Sequence, residues 1–260
     1  MHTLMKGALL VAALSLPVTS GAQDVAPLFE AAPAILYETH SGVDGPVFDE
    51  YFEMLVEKYA GAEGFGWGVY RENATVAYRI TALSAGLESM LEVQQARNES
   101  FQEFTEDQTD LSNRAWGTRH VTVYNAAPAL SVVPDGFSVA DIQALPYNRV
   151  TLYNLKWDKA PAFRQALAER SALGREAGIE DFVLTAWTGG IGTQAQTVMV
   201  RVTAESRAAD AGDNAAARRA ARQPYIAEFR RLTGIMNRSA GHIEQHDQRR
   251  IATLSFVPSR

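Results

Sequence analysis

The sequence contains no cysteine. Structural disulfides, thiolate metal sites, iron–sulfur clusters and cysteine nucleophiles are all excluded by that absence. Histidine is scarce, with 5 in 260 residues, so few side chains are available for proton transfer near neutral pH. No dense block of lysine or arginine occurs, and the net charge is −6. An acidic chain without a basic patch argues against nucleic acid as a partner. The apolar run at residues 8–18 is too short for the roughly 20 residues that a membrane-spanning helix needs, and no later stretch is more apolar. There is no P-loop, no kinase signature and no Gly-x-Ser-x-Gly elbow. Gly189-Gly190-Ile191-Gly192 stands between two strand-like runs, as a hairpin turn does, and is not a phosphate loop.

What is present begins with an address. Lys6 precedes the apolar run, Pro17 breaks it, and the small residues Ser20 and Ala22 fit a signal-peptidase site. The expectation is a signal peptide over residues 1–22 and a loose arm over 23–33. The mature protein would be periplasmic or secreted and free of the membrane. Its hydrophobic content of 47% and charged content of 21% are ordinary for a folded chain.

The remainder reads as two copies of one unit. Pro46 and Pro161 each follow a strand-like run, at residues 35–40 and 150–157, and each opens an amphipathic helix. These helices run out near Gly61 and Gly178. Hairpins follow, over residues 65–82 and 182–203, with Tyr78-Arg79-Ile80-Thr81 parallel to Val200-Arg201-Val202-Thr203. Long helices are expected near 87–107 and 215–237, then closing strands at 119–124 and 249–254. Each copy is thus β-α-β-β-α-β, a ferredoxin-like unit. The boundaries are 34–127 and 149–260, joined by a proline-containing linker at 128–148 with a short helix at 139–145. The Ala- and Arg-rich stretch at 204–222 reads as a solvated helical insertion.

In this order and spacing of elements the chain resembles the dimeric α+β barrel superfamily, with both units on one chain packed sheet to sheet. The resemblance implies an α+β fold with a lumen between the sheets. The superfamily includes cofactor-free monooxygenases and haem-handling enzymes, so it also allows oxidative chemistry, a haem cofactor and a homodimer. No family-specific catalytic motif accompanies it, and the cofactor is left open.

Strand alternation supplies the candidate residues. Val76, Tyr78 and Ile80, like Val198, Val200 and Val202, form the greasier face, expected against the helices. Arg79 and Arg201 should then face the lumen, with Glu38 and His40 able to share the face of Arg79. Two readings follow. Either each arginine is paired to a strand carboxylate such as Glu38 and is structural, or the two form an anion site. Tyr70 and Trp187 hold equivalent places in the hairpins and, with Trp157, could make an aromatic lining for a small anionic or aromatic ligand. His40, before the turn at residues 41–45, is the catalytic candidate, with His246 an alternative base or axial ligand. His242 and His246 stand four apart, but Ile243 occupies the place where a zinc-protease motif needs glutamate, so no metal site is expected. That segment reads as a loop before the last strand.

Overall fold

The computed structural model describes residues 29–257, apart from 63–64, 134–136, 138, 180–182, 195 and 212. The expected signal peptide and residues 23–28 of the expected arm lie outside the described residues. β1 (Ala34–Ser41) is buried along nearly its whole length. Helix α1 (Gly45–Lys58) begins where Asp44 accepts a hydrogen bond from the Val47 N–H and Pro46 occupies the first turn. Its buried residues Phe48, Tyr51, Phe52 and Leu55 recur every three or four positions. Hairpin strands β2 (Trp67–Asn73) and β3 (Val76–Leu83) are joined by a turn in which the Asn73 side chain accepts from the Thr75 N–H at 2.9 Å.

The single long helix expected next is two helices, α2 (Glu88–Gln102) and α3 (Glu106–Ala115). Thr105 and Gln108 make a reciprocal capping box, a start signal inside what periodicity alone reads as one run. β4 (Thr118–Ala126) ends the first half. The linker carries the short helix α4 (Val139–Ala144) in the expected place.

The second half runs β5 (Tyr147–Leu155), α5 (Ala160–Glu176), β6 (Val183–Gly189), β7 (Thr197–Ala204), α6 (Arg207–Ala211), α7 (Asp213–Arg222), α8 (Ile226–Ser239) and β8 (Ala240–Phe256). Pro224 lies in a 3-10 turn, Gln223–Tyr225, that separates α7 from α8. The stretch expected to be solvated is anchored to the sheet. Asp210 of α6 is buried and pairs with Arg149 of β5 at 2.9 Å. The expected loop at residues 242–248 is instead the front of β8, which pairs with β5 from Ala240 to Arg249 and then with β2. A strand of 17 residues is long enough to serve two partners in turn.

Among the described residues, eight antiparallel strands close into a barrel in the order β1-β3-β2-β8-β5-β7-β6-β4. Each half contributes four neighbouring strands in the same relative order, and the halves join through β2–β8 and β4–β6. The result is a mixed α+β fold in which closure leaves no free edge among the described strands. No described helix is long and apolar enough to cross a membrane.

The helices pack outside. Phe48, Phe52 and Leu111 cover Trp67, Val69 and Ala77 of the first half. In the second half Phe163, Leu167 and Leu232 cover Val198, Val200 and Val202. A separate cluster fills the lumen, including Tyr37, Tyr70, Tyr78, Ile80, Tyr124, Trp187 and Met199.

Candidate functional site

The two arginines that align in sequence point to opposite sides of the barrel wall. Arg201 faces the lumen, as expected from Val198, Val200 and Val202 packing on the helices. Arg79 does not. Its neighbours Tyr78 and Ile80 fill the lumen, and Arg79 lies beneath the helices, its guanidinium 5.8 Å from the Phe52 ring and 5.7 Å from Trp116. A strand's side chains alternate, so a match displaced by one residue reverses every face. The first half turns its aromatic face inward, and greasiness alone could not distinguish lumen from helix.

Arg201 stands at one mouth of the barrel. Its Nε donates to the Asn148 side-chain oxygen at 2.7 Å, and an Nη donates to the Tyr70 hydroxyl at 3.0 Å. The Tyr70 ring lies 5.3 Å from the guanidinium carbon, close enough for a cation–π contact. Thr203 donates to the same Asn148 oxygen at 2.9 Å and holds that amide in place. No carboxylate pairs with Arg201 among the described residues. Trp187 meets Phe29 edge to face at 5.5 Å, and its indole N–H is held by Thr185 at 3.2 Å.

A cavity of about 610 Å³ opens on these side chains. Ile35, Ile80, Tyr70, Trp187 and Arg201 line its inner wall, and Ser89, Glu92, Val93 and Ala96 of α2 line it from the helix side. Gly68 makes room for the wall. A Cβ there would come within 2.9 Å of the Tyr70 ring, so the tyrosine could not lie as it does beside Arg201. The volume suits a small organic ligand, and a wall mixing apolar side chains with a few polar groups, here including Arg201, Glu92 and Arg250, is the usual make-up of such a site.

Deeper in the lumen, the buried Gln248 amide donates to the Tyr37 hydroxyl at 2.5 Å. Burial raises the pKa of Tyr37 and Tyr78, so both phenols stay protonated. The Tyr78 hydroxyl donates to Glu72, which also meets the His246 Nδ1 at 3.1 Å; His246 Nε2 lies 3.6 Å from Glu244. Tyr78, Glu72 and His246 therefore form a continuous polar chain. Glu72 and Gln248 carried no signal in the sequence, because each stands among other polar residues and its contact with His246 or Tyr37 spans more than 170 residues.

The other expected site residues lie elsewhere. Glu38 is fully buried on the helix side, where it accepts from Arg79, Arg97 and Arg119. His40 is buried beside Trp116, with ring centroids 4.7 Å apart, and neither ring nitrogen has a hydrogen-bond partner. Burial pushes its pKa down to about 3, which keeps it neutral. It does not line the large cavity. Trp157 stands out from a 3-10 turn and is 76% exposed, away from the lumen. So Arg201, Tyr70 and Trp187 come together, whereas Arg79, Glu38, His40 and Trp157 do not join them.

A haem ligated by histidine does not fit the large cavity, since no described histidine lines it. His120 and His242 are exposed, and His246 is engaged by two glutamates. No group of three or more potential ligands able to hold a metal ion exists among the described residues.

No family profile matches the chain. No curated protein matches it either. Solved structures do. A protein provisionally described as a monooxygenase, from Lactobacillus acidophilus NCFM, aligns with a TM-score of 0.53 at 11% identity, covering 86% of this chain and 96% of that one. An anthrone oxidase-like protein aligns with a TM-score of 0.51 at 11% identity, covering 84% and 91%. A mutant chlorite dismutase from Candidatus Nitrospira defluvii aligns with a TM-score of 0.50 at 10% identity, covering 87% and 96%. These neighbours are dimeric α+β barrel proteins. At such identity the likeness concerns the fold alone.

Proposed function

We propose that the chain binds a small organic anion with an aromatic or apolar body, seated at the barrel mouth. The observation that carries this reading is Arg201: a guanidinium on the wall of a 610 Å³ cavity with no carboxylate partner among the described residues. A partly buried cation is stabilised by a counter-charge, and a ligand carboxylate would supply it through bidentate hydrogen bonds. Tyr70 and Trp187 would contact the apolar body. We further propose that the protein is exported, consistent with residues 1–22, and that its two halves descend from one duplicated ferredoxin-like unit. Barrel closure within a single chain leaves helices and loops, rather than strand edges, for any homodimer contact.

The test is calorimetric titration with a series such as benzoate, naphthoate and indole-3-acetate. Wild type should bind at least one member, and Arg201→Gln should weaken it by about tenfold or more, as loss of a charged hydrogen bond predicts. Equal binding by both proteins would make Arg201 structural and overturn the reading.

A second reading is cofactor-free oxidation of a phenolic or related aromatic substrate, which the names of two fold neighbours suggest. The chain Tyr78–Glu72–His246 favours it, because it offers a relay for a proton leaving a substrate in the lumen. Oxygen consumption in the presence of anthrones or hydroquinones, lost in Tyr78→Phe and His246→Gln, would support it. Ligand uptake without oxygen consumption would leave only the binding reading.

A further inference from the structure

A second cavity, of about 160 Å³, lies outside the barrel between α1, α2, α3 and the sheet. Its basic wall is the Arg79, Arg97 and Arg119 cluster around Glu38. Arg79 grips the carboxylate with two hydrogen bonds, of 2.5 and 2.9 Å; Arg97 adds one at 3.1 Å and Arg119 one at 2.8 Å, with a further Arg119 contact to the same oxygen. One negative charge thus faces three positive ones, leaving two cations in excess among the described residues. The side chains of Arg79 and Arg97 are 7% and 12% exposed, so water screens little of that excess.

Two polar atoms at this cavity are buried with no hydrogen-bond partner, Arg97 Nε and Ser100 Oγ. Asn98 and Gln94 of the same helix also line it. The carboxylate of Glu38 already accepts five N–H groups and has nothing left to offer Arg97 Nε. Burial, followed by the nearness of Arg79, lowers the Arg97 pKa to about 9, the mark of a guanidinium short of negative charge.

We propose that this outer cavity is an oxyanion site, taking a phosphate, a sulfate or the carboxylate of a small acid between Arg97 and Arg119, with Ser100 as a further donor. The volume accommodates such a group and little more. The two cavities share Tyr59, Phe65 and Trp67 in their walls, but Arg79, Arg97 and Arg119 line only the outer one and Arg201 only the larger one, so their cationic groups differ. Excess cationic charge that would otherwise destabilise the cluster then becomes the source of affinity.

The test uses Arg201→Gln as the parent, so that the lumen cannot contribute. Its melting temperature is followed against sulfate, phosphate and acetate, with ionic strength held constant by chloride. A saturable rise is expected with at least one anion, since a ligand that binds only the folded state stabilises it. Addition of Arg97→Gln should weaken the apparent affinity at least tenfold, and Arg119→Gln, at a more exposed position, should do so without threatening the fold. The identity of the most effective anion separates inorganic oxyanions from organic acids. A parent protein that responds to none of the three beyond chloride overturns the proposal, as does saturable binding that neither arginine variant alters.

Discussion

Glu38 and Arg79 stand directly opposite each other in the β1–β3 ladder, on the side of the sheet that the helices cover. Burial works against ionisation of Glu38, but Arg79, Arg97 and Arg119 outweigh it and hold its carboxyl well below the usual range. The pair is a structural charge cluster under α1 and α3, not a lumen site. Glu38→Gln should leave three guanidiniums around a neutral amide and cost about 3–5 kcal/mol, the loss typical of breaking a buried ion pair. Urea unfolding would measure it. A loss below ~1 kcal/mol would mean that the cluster is solvated.

His40 predicts a pH dependence. Burial lowers its folded pKa to about 3, against 6.5 for the free side chain, with Glu38 of the same strand, Arg79 and Arg119 of the neighbouring strands and Arg97 of α2 also acting on it. The unfolded chain therefore takes up a proton below pH 6.5 that the folded protein refuses. Stability should fall as pH drops from about 6.5 towards 3, with a slope of at most ~1.4 kcal/mol per pH unit from this residue. His40→Phe should flatten the curve between pH 6.5 and the onset of carboxylate titration. A parallel curve for the variant would show that His40 is not the source.

Gly117 sits where the chain enters β4. A Cβ there would lie 2.0 Å from the Ser41 carbonyl oxygen and 2.9 Å from its carbonyl carbon, both backbone atoms that cannot swing away. Gly117→Ala should destabilise by about 1–3 kcal/mol through overpacking. Gly174→Ala, with nothing near the added carbon, is the control and should be neutral or mildly stabilising. Thermal unfolding of the two variants side by side decides the matter.

Tyr37 tests the lumen core. Its hydroxyl is the acceptor for the buried Gln248 amide. Tyr37→Phe removes that acceptor at nearly constant volume and should cost about 1–3 kcal/mol, the price of a buried donor left unsatisfied. Gln248→Met in the same background should recover part of the loss, because it removes the stranded donor. Absence of any recovery would mean that the hydrogen bond contributes little.

Much of the element order was legible because each signal was local. Pro46 and Pro161 marked helix starts, Asn73 marked a turn, and Gly61 and Gly178, both with positive φ, marked helix ends. The breaks at Thr105 and Pro224 were written in the sequence too, but helical periodicity on either side hid them. β8 was misjudged in length because Gly241 reads as punctuation, whereas its role as the seam between β5 and β2 depends on partners more than 80 residues away.

The sequence by itself determined the order of strands and helices, though not the breaks in two helices or the length of β8, along with the lack of thiol chemistry and the small set of histidines. Only the tertiary structure decided which face of each strand met the lumen. Alternation defines two faces but not which is inside, and when one face is aromatic and the other mixed, both can be buried. Arg201 reached the cavity and Arg79 the helix side for that reason, so the two aligned arginines, structural or a shared anion site by sequence alone, lie on opposite sides of the barrel wall.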